Sequence, residues 1–501
     1  MNFMPINTKM QGVNLNKIGT AASCVLYISL NCSRENIKYE ISDNIILHFF
    51  VAARIISPRN PERMMEMATY SCRSREELRM EFKKMMARYE ELKHENLNLD
   101  MSRGKPSKLQ LDLVSDMLTI LTDPEECMID GKDARNYGDL AGLQCAREYW
   151  ADMLDCKPEQ TFVGGNASLH LMHDLIARAF THGLKESPRP WCREGRIKFL
   201  CPSPGYDRHF RITESFGFEM VTVPMTPYGP DMDIVEELVK DPLVKGIWCV
   251  PKFSNPQGYT YSDETVLRFA NLKPAAPDFT IMWDNAYCVH EFEGEFEPLK
   301  DIISLCAEAG RPNMVYEFAS TSKITFPGAG MSVMASSVEN IQHMTKLISV
   351  QTISYDKINQ LRHVKYLKNR EHTIELMKKH AEIMRPKFHM VLKMLRRELT
   401  NKGIAHWHLP TGGYFVCVAA MPGTARRTLD LCKRAGVTLT EAGATYPYGV
   451  DPHDSMIRIA PSLPPIEELE KAMRVFCTCL KIATLEKYLG ITLESVTADS
   501  F

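Results

Sequence analysis

The sequence predicts an α/β fold: a mostly parallel sheet covered by helices on both faces, followed by a smaller α+β domain. Three observations predict it. From about residue 131 to 350, short apolar runs alternate with amphipathic stretches of helical period. After about Ser349 that rhythm gives way to one long helical segment, a few short strand-like runs and a closing helix. Finally, 501 residues with 45% hydrophobic and 24% charged side chains are enough for two or three domains with ordinary cores.

Residues 1–73 read as a disordered N-terminal extension, because Met1–Arg63 mixes Asn, Ser, Cys and Ile without sustained period. The methionines Met64, Met65 and Met67 precede the first regular segment, and the natural start is expected at one of them. Ser74 and Glu77 form a capping box for a helix to about His94, with Leu78, Phe82, Met85, Met86 and Tyr89 at helical spacing. A loop over Asp100–Ser107 carries Gly104 and Pro106, and a second helix is expected over about Leu109–Thr122. Residues 74–130 are thus expected to pack as helices on the smaller domain. In the large domain, 131–350, the expected strands are Thr161–Val163, Ile197–Cys201, Glu219–Val223, Gly246–Val250, Phe279–Trp283 and Met314–Phe318. The expected helices are Gly142–Leu154, Ser168–His182, Asp207–Phe216, Asp233–Lys240 and Asp263–Ala270. In the small domain, 351–490, a long helix spans about Ile374–Thr400. Strands follow near His406 and at Tyr414–Ala419, then a helix at Ala425–Ala435, a strand at Met456–Ala460 and a helix at Ile466–Lys481. Residues 491–501 read as a polar tail.

Composition narrows the function. A net charge of −2 gives no electrostatic case for nucleic acid or an anionic membrane. The apolar runs Ala21–Leu30 and Ile45–Ile56 are shorter than the ~20 residues of a membrane span. The 15 cysteines show no C-x-x-C spacing, and Met1–Gly19 has no signal-peptide pattern, so reduced thiols and a cytoplasmic location are expected. His170/His173 and His406/His408 lack convergent acidic or thiol partners, and no metal is expected.

Several segments can carry chemistry, most of them where an expected strand ends. Ser320-Thr321-Ser322-Lys323 leads into the glycine-rich Pro327-Gly328-Ala329-Gly330. A shielded lysine can form a Schiff base, and neighbouring hydroxyls and turn amides suit a phosphate. Asp284 and Tyr287 end the run Phe279–Trp283, where a carboxylate can hold a cationic heteroaromatic nitrogen; the same pattern is also a helix cap. Ser254-Asn255-Pro256-Gln257-Gly258 is a turn signature. Pro204-Gly205-Tyr206-Asp207-Arg208-His209 and Tyr137-Gly138-Asp139-Leu140-Ala141-Gly142 each precede a helix. Gly164-Gly165-Asn166-Ala167-Ser168 is a strand-to-helix junction of small residues that admits an anion. Arg458 alternates with Ile457 and Ile459, so it faces away from them.

In this order the segments resemble the class I aminotransferases, fold-type-I pyridoxal-phosphate enzymes, over about Asn98–Lys481. Arg103-Gly104-Lys105-Pro106-Ser107, Y-G-D-L-A-G and S-T-S-K-I-T-F-P-G-A-G are most similar to the bacterial aspartate aminotransferases related to the MocR-type domain. The resemblance implies a mostly parallel seven-stranded sheet, pyridoxal 5'-phosphate as cofactor, and ping-pong transfer of an amino group between an amino acid (aspartate or glutamate) and a 2-oxo acid. It makes Lys323 the Schiff-base lysine and proton shuttle, and Asp284 the partner of the pyridine nitrogen. Tyr287 and Asn255 contact the phenolic oxygen, and Tyr206 stacks on the ring with His209 buttressing Asp284. Asn166, Ala167, Ser168, Ser320 and Ser322 surround the phosphate. Tyr137 reaches the phosphate of a neighbouring subunit, implying a homodimer with shared sites. Arg458 binds the α-carboxylate, and Gly104 lies in a loop over the substrate. For a second substrate carboxylate, Lys357, Arg362 and Arg103 are the options. One departure stands out: many class I members carry a phosphate-binding arginine about eight residues after the lysine, where this chain has Gly328-Ala329-Gly330-Met331-Ser332.

Two alternatives share these residues. A MocR-like regulator needs an N-terminal winged-helix domain, and Met1–Ser74 lacks the basic amphipathic helices of one. A β-decarboxylase or lyase on the same fold differs in its products. If residues 1–63 are an extension, their deletion leaves solubility and amino-transfer activity intact; loss of either in the shortened protein counts against it.

Overall fold

The computed structural model of this chain describes residues 69–491. Of the disordered extension expected over residues 1–73, residues 1–68 lie outside the described residues, as does all but the first residue of the tail; residues 69–73 correct the expected boundary, because they hold the 3-10 turn Tyr70–Cys72 and Tyr70 is fully buried in an apolar cluster. Eight strands form the main sheet: β1 Thr161–Val163, β2 Lys198–Ser203, β3 Glu219–Thr226, β4 Gly229–Pro230, β5 Val244–Cys249, β6 Thr280–Asp284, β7 Val315–Ser320 and β8 Ser332–Ala335. Their order is β1-β8-β7-β6-β5-β2-β3-β4. The block β7-β6-β5-β2-β3 is parallel, and β8 joins β1 and β7 antiparallel. Seven strands make the sheet proper, and two-residue β4 closes one edge against β3.

Why these runs form central strands shows in their burial. Neighbouring residues go to opposite faces, and both faces are covered. Leu200, Ile247, Ile281 and Val163 join one apolar cluster. Phe199, Trp248, Met282 and Phe162 join the other. The sequence therefore reads as unbroken apolar runs rather than alternation. Because β1 and the parallel strands run the same way, their carboxyl ends open on one side, where a ligand can reach all of them.

A second sheet is antiparallel: β9 Ala405–Trp407, β10 Val416–Ala420 and β11 Met456–Ile459. It packs with the 30-residue helix Arg370–Leu399 and the closing helix Ile466–Leu489 around Phe388, Leu395, Phe476 and Leu480. The capping box at Ser74 is formed, and its helix Arg75–His94 adds Leu78, Met85 and Tyr89 to that core. Arg75 Nη2 also donates to the carbonyl of Leu489 at 3.0 Å.

A second expectation needs correction. The helix expected over Leu109–Thr122 breaks into a five-residue helix, Lys108–Asp112, and a 3-10 turn, Ser115–Thr119. Tertiary packing explains the break. Gln110 is buried against Tyr414 and His380, Val114 and Met117 are fully buried, and Leu109 and Leu118 are exposed, so no single helical stripe faces the core. Three helices and two strands of the main sheet had no expectation: Ile302–Glu308, Val338–Ile348, Lys357–Leu367, β4 and β8. Among the described residues, no helix is long and apolar enough to cross a membrane. The thirteen described cysteines are free thiols.

Gly246 lets two layers meet in the middle of the sheet. A Cβ there would stand 2.6 Å from the ring of Phe199 and 2.8 Å from the backbone oxygen of Thr280. Gly246→Val is therefore expected to lower stability by about 2 kcal/mol through overpacking, read as a lower denaturant midpoint with an unchanged slope.

Candidate active site

The carboxyl ends of the parallel strands and the edge of the small sheet enclose a cavity of about 540 Å³. From β1 comes Ser168, the first residue of the helix Ser168–Thr181; from β2, Tyr206; from beyond β5, Asn255; from β6, Asp284 and Tyr287; from beyond β7, Lys323. β11 contributes Arg458, and the loop Ser102–Lys105 lies across the other side. Seven segments separated by up to 356 residues thus meet at one place.

Lys323 ends a 3-10 turn, Thr321–Lys323, and its Nζ stands 4.9 Å from the ring centre of Tyr287 and 5.8 Å from that of Tyr414. Burial pushes the amine below its ordinary range, and the Asp284 carboxylate draws it partly back. A lysine shielded in this way holds the neutral, nucleophilic form at a lower pH than a solvated one.

Asp284 is buried, and its two oxygens differ. Oδ2 is 3.0 Å from His209 Nε2, whereas Oδ1 has no hydrogen-bond partner and is shut off from solvent. His209 is fixed in turn by stacking on Trp248, with ring centres 4.4 Å apart and planes 10° apart, and by an edge contact with Tyr206 at 4.9 Å. A buried carboxylate oxygen without a donor is costly unless something arrives to use it. A protonated ring nitrogen is such a donor.

Arg458 is 6% exposed and lies over the ring of Phe415 at 4.7 Å. Its Nη1 donates to Asn255 Oδ1 at 3.0 Å and to Asp207 Oδ1 at 3.1 Å, its Nε to Thr440 Oγ1 at 3.2 Å, and its Nη2 to the Ser102 carbonyl at 3.4 Å. Gly104 lets that loop lie on the same wall: a Cβ there would stand 2.9 Å from Phe415 Cζ.

The small-residue junction and the lysine turn form an anion cradle. Ser320 Oγ donates to Ser322 Oγ at 3.1 Å, and Ser322 Oγ reaches the Asn166 carbonyl at 3.5 Å. Gly330 closes it, because a Cβ there would stand 2.6 Å from the same carbonyl. Ser168 is buried at the N-terminus of a 14-residue helix, while Ala167 is half-buried and Asn166 exposed. Hydroxyls and a helix N-terminus suit a phosphate. The position eight residues after the lysine is Met331, fully buried in the core, so no arginine can stand there without rebuilding that wall. Lysine, unpartnered carboxylate and cradle together fit pyridoxal 5'-phosphate.

Some sequence-predicted residues lie elsewhere. Tyr137 is 77% exposed and outside the cavity of its own chain. Lys357 is buried against Asp139, at 3.3 Å, and the Tyr137 carbonyl. Arg362 hydrogen-bonds Asn359 on its own helix and does not line the cavity. Of the three options for a second carboxylate, Arg103 alone lines it, joined by Lys105, Arg208 and Arg211, to which sequence reasoning assigned no role. Asp207 was readable only as a helix start, and nothing in the sequence marks Tyr414 or Thr440.

Behind the site, Asn285 Nδ2 donates to Glu317 Oε1 at 2.8 Å. Burial pushes the Glu317 carboxyl up to about 8, partly offset by that hydrogen bond. The folded state therefore keeps a proton that the unfolded chain releases above its ordinary value of 4.5. This contribution to stability is full below 4.5 and is lost as pH rises through 8. Glu317→Gln keeps an acceptor for Asn285 and removes the titration. Its melting temperature should match the parent's near pH 4.5 and exceed it by a margin that grows up to about pH 8; a margin that does not change with pH would count against a buried, protonated carboxyl.

A sequence model of the family described as "Aspartate amino-transferase" matches residues 73–492. An aspartate aminotransferase of Corynebacterium glutamicum is 47% identical over 80% of this chain and 93% of its own length. A solved structure of an aspartate transaminase from the same organism is 46% identical, with a TM-score of 0.81 over 82% of this chain and 97% of that one. The α-aminoadipate aminotransferase LysN from Thermus thermophilus, solved with N-(5'-phosphopyridoxyl)-L-leucine, shares the fold at 21% identity and a TM-score of 0.64, over 77% of this chain and 93% of that one.

Proposed function

The chain belongs to the aspartate amino-transferase family, and from that premise we propose that it moves the amino group of aspartate or glutamate to a 2-oxo acid, using pyridoxal 5'-phosphate joined to Lys323. The observation that carries this reading is the half-satisfied carboxylate: Asp284, whose buried Oδ1 has no donor, lines the same cavity as Lys323. When bound, pyridoxal 5'-phosphate supplies an aldehyde for the amine and a ring that accepts the electron pair of the substrate α-carbon.

The residues then divide the work. Asp284 Oδ1 keeps a proton on the ring nitrogen, and His209 holds the carboxylate in place from Oδ2. The Tyr287 hydroxyl and the Asn255 amide would hold the phenolic oxygen, and Tyr206 would cover the ring. Ser168, Ser320 and Ser322, with the backbone at Asn166 and Ala167, hold the phosphate. Arg458 grips the α-carboxylate through charge-assisted hydrogen bonds. Lys323 Nζ would take the proton from the substrate α-carbon and afterwards donate one, serving as base and then as acid. The first 2-oxo acid leaves before the second enters, which gives ping-pong kinetics.

Support for a dicarboxylic donor comes from the 47% identical relative that carries the name aspartate aminotransferase and from the cations Arg103, Lys105, Arg208 and Arg211 at the cavity. Gly104 places the Arg103 loop against the substrate. The exposed Tyr137 supports a homodimer in which it serves the neighbouring phosphate. A cytoplasmic enzyme fits the free thiols.

The test is an absorbance spectrum of the purified protein before and after adding aspartate, repeated with Lys323→Ala. Aspartate should change the cofactor band, with alanine and phenylalanine weaker; preference for an apolar donor rejects the dicarboxylate reading. Lys323→Ala should abolish the covalent-cofactor band and cut turnover at least about a thousandfold, since one amine supplies both the covalent and the proton-transfer step. Full activity in that variant overturns the assignment.

A further inference from the structure

Arg458 is already well occupied. A guanidinium offers five N–H groups. Asp207 and Asn255 take the two on Nη1, Thr440 takes the one on Nε, and the Ser102 carbonyl takes one of the two on Nη2. Four of the five are thus engaged. A carboxylate held bidentately needs two parallel N–H groups, so at least one existing partner must give way.

The four partners are not equal in this respect. Asn255 and Thr440 are neutral, and the Ser102 partner is backbone. Asp207 alone carries the same charge as an incoming carboxylate, so repulsion acts on it selectively. It also has somewhere to go. Asp207 is the first residue of the helix Asp207–Ser215, and Arg211 stands four residues on, on the same helical face and lining the same cavity. An acidic residue four positions before an arginine is a favourable helical pair. A carboxylate in the first turn is further favoured by the helix dipole, so leaving Arg458 does not strand its charge.

Resting on the reading of Arg458 as the substrate-carboxylate residue, we propose that Asp207 is a positioning residue that competes with the substrate carboxylate for Arg458 and, when displaced, pairs with Arg211. It thereby sets how tightly the site grips any carboxylate. An ordinary structural ion pair would behave differently: removing its acid would loosen Arg458 and weaken binding.

The test uses the holoenzyme and succinate, a dicarboxylate with no amino group to transfer, with its dissociation constant read by calorimetry. Asp207→Asn keeps a hydrogen-bond acceptor for Arg458 and removes the charge. It should bind succinate about fivefold more tightly and lower KM for aspartate by a similar factor, with kcat within about twofold. Arg211→Gln, at an exposed position, should weaken succinate about threefold, and that loss should shrink in the Asp207→Asn background to what Arg211 contributes directly as a cavity cation. Unchanged or weaker succinate binding by Asp207→Asn overturns the proposal, as does an Arg211 effect that is undiminished in the double variant. Arg458→Gln separates the two readings. If it loses succinate while Asp207→Asn shows no gain, only the competition fails; if it keeps full affinity, the assignment of Arg458 fails, and the competition with it.

Discussion

The site depends on the bond between His209 Nε2 and Asp284 Oδ2. Asp284 ends a central strand whose neighbours on both sides are parallel, and the residue is 3% exposed. A carboxylate buried there without a partner is costly and free to turn away. The histidine stops it from turning, and the Trp248 stack stops the histidine from turning. Trp248 in turn donates its indole N–H to Thr213 at 2.8 Å, one turn further along the helix that carries His209. This chain of contacts occupies one oxygen and leaves the second, Oδ1, without a donor in the protein. The cost of that unpaired oxygen is carried by the large apolar clusters on the two sheet faces.

How much of this was legible in the sequence depends on what kind of constraint produced each feature. The central strands were legible because a sheet covered on both faces needs continuous apolar runs, and β1, β2, β5, β6 and β7 fall within a few residues of their expected places. The chemistry-bearing segments were legible for a related reason. Polar residues at the ends of such runs, namely Asp284, Asn255, Tyr206 and Lys323, interrupt an otherwise apolar pattern. The Leu109–Thr122 segment was not legible, because its backbone follows Gln110, which turns inward to Tyr414, a residue more than three hundred positions away. The same holds for Thr440 and Ser102 around Arg458. Each is an ordinary loop residue until the fold brings it to the guanidinium.

The missing arginine near the phosphate shows a different limit. Sequence comparison can note that Met331 stands where a base is usual, but only the structure gives the reason. Met331 is fully buried, and its backbone N–H donates to Thr321 Oγ1 at 2.9 Å. That bond ties the glycine-rich turn to the lysine turn. The middle hydroxyl of the run, Thr321, is therefore structural, while Ser320 and Ser322 are left for the proposed anion. Asn359 Nδ2 adds a second tie by donating to the Gly330 carbonyl at 2.7 Å. A position that could have supplied charge instead supplies rigidity, and the anion is met by oriented dipoles.

Charge placement around the cavity then follows one pattern. The deep end is held by groups with partners inside the protein: Asp284 Oδ2 with His209, and Arg458 with Asp207 and three neutral partners. The outer end carries Arg103, Lys105 and Arg211, all exposed. On the proposed reading, a carboxylate substrate is drawn in by cations that solvent and salt screen. On the same reading, it meets a guanidinium already balanced within the protein, so binding is an exchange of partners inside the wall rather than the neutralisation of a bare buried charge. Exchange of this kind costs little desolvation on the protein side and favours ligands whose geometry matches the donors, which suits the proposed release of one 2-oxo acid before the next is taken.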